Sequence, residues 1–396
     1  MNNTIYTPRT KRYKEQRWLT DLAILTAGPE WDQPRIDYIT GPMGSAMSFE
    51  RNYIMNTLKS IDSFVYVFKR LAERRERRAE EEEKNHKITA RDNYLAASLL
   101  YGAAVWPIWV DNDPTLLELE EKKNFCYDKY IEFADHKIER IKINHTGQHL
   151  DGLLHYPLNA MDEDNVPCLV AIPGMDSFKE TLVSEYGDKM LSRGVAVFAI
   201  DGPGQGSAIA RNIKVRNDSF DDVGKDIYSF ITKRREINSK SVAFQGISMG
   251  SYWALRAVSK CSNYVAVSSY ASCFEPRMET IFNSASPTFK ERFMWMAGYE
   301  DEDKFNTFMS KMTLESVVDN IKCPTLLTVG SNDHLSPLNW AYWIYDKLRV
   351  RKTLDIYLGE KHRVNHPDAD NRRADWICDR LSRKDFNSSI SEISPA

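Results

Sequence analysis

The sequence predicts an α/β fold, a mostly parallel sheet with helices on both faces, carrying an N-terminal helical cap and a helical lid insertion. Three observations predict it. From residue 167 to residue 358 short apolar runs suited to buried strands alternate with helical segments, an order that builds a parallel sheet covered on both faces. Ahead of them, residues 1–133 show helical periodicity with no strand pattern. Finally, SVAFQGISMGSYWAL (residues 241–255) places Gly-x-Ser-x-Gly between an apolar strand and a helix former.

Taken in order, residues 18–27 and 47–69 carry apolar side chains at three and four spacing, broken by Pro29, Pro34, Gly41 and Pro42. The run ERRERRAEEEEKNHK (73–87) sets Glu73 and Arg77, Arg77 and Glu81, and Arg78 and Glu82 four apart, the pattern of a solvated helix face. A long apolar helix follows over 88–106, stopped or kinked by Pro107, then another over 114–133. These helices form the expected cap, residues 1–133, and no internal period points to a repeat array.

The core is expected over 134–396. Residues 138–143 and 149–156 read as a hairpin turning at Gly147, and PCLVAIP (167–173) as a buried strand followed by a helix to about residue 192. GVAVFAID (194–201) is the next strand, and a helix over 219–235 leads to the strand before Ser248. Strands over 264–269 and 324–330 are separated by far more chain than a crossover needs. The surplus, residues 284–320, is the expected lid. Its Phe289, Phe293, Met294, Trp295, Met296, Tyr299, Phe305, Phe308, Met309 and Met312 are either packed core or a soft apolar face toward substrate. A helix over 337–348, a strand over 353–358, a loop over 359–365 and a helix over 369–381 close the fold, with the last dozen residues expected to be disordered.

Composition narrows the function classes. At 42% hydrophobic and 28% charged residues with a net charge of −3, nothing calls for nucleic acid. No signal-peptide core and no apolar run of roughly 18 residues appears, so neither membrane association nor export is expected, and a cytoplasmic location is. The 6 cysteines form no Cys-x-x-Cys pair and are expected to be reduced. His145 and His149 flank Gly147 in a strand-turn region, so no metal site is expected there. DGPGQG (201–206) lacks the Gly-Lys-Ser/Thr of a phosphate loop, so no cofactor is expected.

The chemistry centres on Ser248. Gly246 and Gly250 let the chain turn sharply and lift its hydroxyl clear of the sheet edge, the arrangement of a nucleophile elbow. A serine hydroxyl needs a neutral imidazole to take its proton and an acid to orient that imidazole. Asp333, after the strand PTLLTVG, stands at a carboxyl strand end. His362 lies in the loop after the last core strand, which can carry an imidazole back over the serine. His366 is its rival, but precedes Pro367 and reads as a helix cap, while His334 beside the acid would point away. The backbone amide of Met249 is expected to hold an oxyanion, with the second donor the amide of Met175 behind Gly174.

These stretches, with ARDNYLAASLLYGAAVWP (90–107), PGMDSFKE (173–180), CPTLLTVGSND (323–333) and GEKHRVNH (359–366), resemble the α/β-hydrolases. More narrowly they resemble the group of 2,6-dihydroxypseudooxynicotine hydrolase and the polyketide-shortening hydrolases of fungal pigment and bacterial anthraquinone biosynthesis. The resemblance implies a triad of Ser248, Asp333 and His362. It also implies hydrolysis of a carbon-carbon bond beside a ketone in an aromatic or polyketide-like β-diketone, a small-molecule partner, and compatibility with a homodimer. Carboxylesterase action on an apolar ester is the alternative, and a non-catalytic interaction protein a third reading. Lys361 before His362, and Val364, Asn365 and His366 after it, depart from the group's usual final loop.

Overall fold

In the computed structural model, residues 6–158, 165–183 and 188–394 are described. Among the described residues six α-helices precede the first strand: α1 (Lys11–Ala27), α2 (Arg35–Thr40), α3 (Ser48–Thr57), α4 (Phe64–Glu82), α5 (Lys87–Ala104) and α6 (Pro114–Phe133). Side chains set their starts. Thr10 accepts from the Tyr13 amide at 3.1 Å to open α1, and Asp113 accepts from Thr115 and Leu116 ahead of Pro114 to open α6. The apolar pattern over 47–69 is split between α3 and α4, because Ser60 and Ser63 cap one another's backbone and start a new helix there. In the charged run, Arg78 pairs with Glu82 at 2.5 Å on the surface as the spacing predicts. Arg75 instead turns inward to the fully buried Glu50 at 2.6 Å.

The sheet follows: β1 (Ile138–His145), β2 (Gln148–His155), β3 (Val166–Ile172), α7 (Lys179–Leu182), α8 (Asp188–Leu191), β4 (Ala196–Ile200), α9 (Gly206–Ala210), α10 (Ser219–Ile231), β5 (Ile237–Ile247), α11 (Met249–Lys260) and β6 (Val267–Tyr270). After it come α12 (Pro287–Ala297), α13 (Glu302–Met309), β7 (Thr325–Gly330), α14 (Leu338–Lys347), β8 (Lys352–Tyr357), α15 (Ala369–Leu381) and β9 (Ser389–Ile393). Strand order is β1-β2-β4-β3-β5-β6-β7-β8-β9. The first two pairings are antiparallel and the rest parallel, so the fold class is the one the sequence predicts. The helix expected to run to about residue 192 is seen as α7 and α8; residues 184–187 between them lie outside the described residues.

Alternation along the strands divides the core between two faces. Cys168, Val170 and Ile172 join the large cluster that includes the N-terminal helices, while Leu169 and Ala171 face Leu182, Met190, Ile377 and Leu381. One expectation is corrected: the chain end is not disordered through 389–393. These residues form β9, in register with β8 from Thr353↔Ser389 to Tyr357↔Ile393, because Ser-Ile-Ser-Glu-Ile alternates as an edge strand and the β8 edge is open to pair. Residues 395–396 lie outside the description. His145 bonds Asp226 at 2.8 Å and His149 faces Asp151, so they do not form a pair.

His155, fully buried at the end of β2, stands 2.9 Å from His136 and 3.4 Å from the Tyr127 hydroxyl. Burial, reinforced by His136 and opposed by Glu180, holds its pKa well below the ordinary range. The unfolded chain takes up this proton below about pH 6.5 while the folded chain does not, so stability falls as pH drops through that value, by about 1.4 kcal/mol per pH unit. Melting curves at pH 7.5 and 5.5 should therefore show a smaller acid loss in His155→Gln than in the wild type. Equal losses would remove His155 from the account.

Candidate active site

A parallel sheet presents the carboxyl ends of its strands along one edge, and four of them converge here. β5 ends in Ser248, β3 in the Gly174–Met175 loop, β7 in Asp333 and β8 in the loop carrying His362. Ser248 has φ 54° and ψ −123°, a left-handed conformation that non-glycine residues rarely adopt. Two hydrogen bonds hold it, from its own amide to the Tyr270 carbonyl and from the Ser251 amide to the Ser248 carbonyl, both 2.8 Å. The flanking glycines are forced by crowding. A Cβ on Gly246 would lie 1.9 Å from the Gly250 carbonyl oxygen, and one on Gly250 2.5 Å from that of Pro173.

The structure brings the three sequence-predicted side chains together. Ser248 Oγ is 2.7 Å from His362 Nε2, and His362 Nδ1 is 2.8 Å from Asp333 Oδ2. A carboxylate only accepts, so Nδ1 carries the proton and Nε2 offers its lone pair to the serine hydroxyl. The other Asp333 oxygen accepts from the amides of Leu335 at 2.8 Å and Ser336 at 3.1 Å, which fixes the carboxylate's orientation. All of this is sheltered: Asp333 is 7% exposed and His362 5%. His366 lies apart, accepting from the Asp368 amide ahead of α15 and contacting the Ser394 carbonyl, and His334 is exposed. Cys273 Sγ lies 4.0 Å from Ser248 Oγ, and burial pushes its thiol pKa up, so it stays protonated.

Met249 follows Ser248 at the start of α11, and Met175 lies in the loop that touches it. A Cβ on Gly174 would fall 3.0 Å from Ser248 Cβ and 3.1 Å from the Ile247 carbonyl, so a side chain there would crowd the loop against Ser248. Both methionines line a small cavity together with Ser248 and His362. Gln33, Tyr38, Ile281, Phe289 and Leu335 complete much of its wall, so residues from the N-terminal helices and from the segment after β6 share it. Of the aromatic and methionine set expected in the lid, Phe289 reaches this cavity. Phe293, Met294, Met296 and Phe305 are fully buried in the core, so that set is chiefly packing.

The supporting residues were not read from the sequence. Asp176, next to Met175, meets Arg35 at 3.1 Å, the Trp106 indole N–H at 3.1 Å and Arg292 at 3.3 Å. Arg292 of α12 donates to the Met175 carbonyl at 3.3 Å and to the Trp106 carbonyl at 2.7 Å. Burial lowers its pKa to about 10; Asp176 opposes this and Arg35 adds to it. Arg35 in turn pairs with Asp32 and lies 4.1 Å over the Trp106 ring. Two cap elements and the α12 helix are thereby tied to the loop beside Ser248. Its position next to Met175 was the available signal for Asp176; Arg292 sits in a helix with no motif to mark it.

Among the described residues no cluster of His, Cys, Asp and Glu is arranged to hold a metal, and no helix is long and apolar enough to cross a membrane. None of the cysteines is in a disulfide, and all but the partly buried Cys378 are buried.

Comparison with known proteins agrees with this architecture. The chain is 27% identical over 292 residues to the α/β hydrolase xenA of Xenoacremonium sinensis, covering 69% of this chain and 67% of that one. It is 30% identical over 155 residues to hydrolase pyiE of Pyricularia grisea, where the match spans 37% of this chain and 33% of the relative. The crystal structure of 2,6-dihydroxy-pseudo-oxynicotine hydrolase superimposes with a TM-score of 0.75 at 18% identity, covering 90% of this chain and 98% of that one. The prolyl oligopeptidase family (peptidase S9) matches residues 184–382, half of the chain and the part that holds Ser248, Asp333 and His362. The protein is thus an enzyme, an α/β-hydrolase, and belongs to the prolyl oligopeptidase family.

Proposed function

We propose that Ser248, His362 and Asp333 form the catalytic triad of a hydrolase that cleaves a carbon-carbon bond next to a ketone in an aromatic or polyketide-like β-diketone. The observation that carries the reading is the continuous Ser248–His362–Asp333 chain at 2.7 and 2.8 Å, with Ser248 and His362 lining a largely apolar cavity. Ser248 Oγ attacks one carbonyl while its proton passes to His362 Nε2, and the amides of Met249 and Met175 hold the oxyanion. Collapse of the tetrahedral adduct breaks the bond to the carbon between the two ketones. That carbon leaves as an enolate and takes the proton from His362. Water, deprotonated by His362, then releases the acyl group as an acid and restores Ser248. Helices α1–α6 and the α12 segment cover the substrate as cap and lid, and the resemblance of the elbow, acid and histidine stretches to polyketide-shortening hydrolases supports the bond type.

The match to the prolyl oligopeptidase family favours a second reading, in which the same apparatus hydrolyses an ester or amide of an apolar acid. Mass spectrometry of products from aryl β-diketones, polyketide mimics and simple esters, with wild type and Ser248→Ala, separates the two. A ketone and a carboxylic acid formed from a diketone only when Ser248 is present is the expected result. Ester cleavage with intact diketones would replace the first reading by the second.

A further inference from the structure

The segment DGPGQG is too regular to be filler, yet it holds no phosphate signature and is not among the residues that line the cavity. Its glutamine is 2% exposed and uses every polar atom of its side chain. Gln205 Nε2 donates to the Pro173 carbonyl at 2.7 Å and to the Gly174 carbonyl at 2.8 Å, while its Oε1 accepts from the Gly202 amide at 3.0 Å. The surrounding motif builds this contact. Gly204 has φ +82°, and a Cβ on Gly206 would lie 2.2 Å from Asp201 Oδ2, so the turn folds tightly back on its own start.

The Gly174 carbonyl belongs to the same peptide group as the Met175 N–H. A trans peptide is planar, with its C=O and N–H on opposite sides. Pinning the oxygen toward Gln205 therefore fixes the direction of the Met175 N–H, away from Gln205. The next carbonyl, that of Met175, is held separately by Arg292 at 3.3 Å. We infer that Gln205 is a positioning residue: it aims the Met175 amide at the oxyanion formed on the Ser248 adduct. This rests on the triad reading above and adds to it the device that keeps the hole formed before substrate arrives.

Two variants of the full-length enzyme test it. Gln205→Glu keeps the acceptor for Gly202 but loses both donors and sets a carboxylate against two carbonyls; Gln205→Met keeps the bulk and loses all three bonds. With p-nitrophenyl esters or diketones that the wild type turns over, kcat should fall about 10- to 100-fold in both, with KM within about threefold, because the lost contact acts in the transition state. Melting temperature and circular dichroism establish that the variants fold. A folded variant with unchanged kcat, or a loss confined to KM, overturns the inference, as does failure of both variants to fold, which would make Gln205 a structural anchor. Ser248→Ala, run in parallel, keeps the two claims apart. If it matches the wild type the triad reading falls; if it is inactive while the Gln205 variants are not, only the role of Gln205 falls.

Discussion

Ser248→Ala should reduce kcat by roughly six orders of magnitude on any substrate the enzyme hydrolyses, and Asp333→Asn by about four. The difference has a structural basis. On the proposed triad reading, alanine removes the attacking atom, leaving only what the cavity and the backbone amides do for water. Asparagine preserves the shape around His362 and can still accept from the Leu335 and Ser336 amides. Its amide N–H₂, however, would face Nδ1, and the imidazole would have to turn its lone pair there and its proton toward Ser248. The wrong tautomer cannot act as base. Neither change should unfold the protein: Ser248 and alanine both carry a Cβ at φ 54°, and Asp333 to asparagine alters no volume. Single-turnover kinetics on the most active substrate of the panel, with melting temperatures as control, gives the ordering. A Ser248→Ala enzyme within tenfold of wild type would exclude the serine as nucleophile.

The sequence carried much of this site because each part has a local signal. Gly246 and Gly250 bracket Ser248 between a strand and a helix, and Asp333 and His362 each follow a strand, so the parallel sheet brings their strand ends to one edge. The order of the three along the chain is readable for the same reason. What holds them was not readable. Arg35, Asp176 and Arg292 are separated by long stretches of chain and meet only once the cap and α12 have packed against the core, and a single buried arginine looks in sequence like any surface one. Gln205 was visible as part of a motif, but its partners are backbone carbonyls, which no side-chain pattern reports. At the fold level, the break between α3 and α4 turned on two serines three apart, a short-range cue hidden within a continuous apolar periodicity. β9 was missed because its half-exposed alternation with serine is also the composition of a loose tail.

Lys179→Met should be the most destabilising single change outside the site, costing about 3–5 kcal/mol. Lys179 is fully buried, and its ammonium lies 2.8 Å from Glu180, 2.9 Å from Asp201 and 3.1 Å from the Ser207 hydroxyl. Burial alone would lower its pKa, but Asp201 and Glu180 outweigh that and hold it above the ordinary lysine value. On the other side Lys123 of α6, also fully buried, meets Glu120 at 2.9 Å and Glu180 at 3.4 Å. Methionine fills the space of lysine yet leaves Asp201 and Glu180 with one ammonium fewer, and an uncompensated carboxylate in that interior is what makes the loss large. Pairing it with Glu180→Gln removes one of the stranded charges and should recover about 1–3 kcal/mol, measured as the shift in urea midpoint between single and double variants. Additive losses would show that the charges are not coupled. The network also bears on the site, since Asp201 opens the turn that ends in Gln205 and α6 belongs to the cap. Loss of Lys179 should therefore lower kcat in molecules that remain folded, whereas a surface pair such as Arg78 with Glu82 can be removed without changing either stability or turnover by more than a fraction.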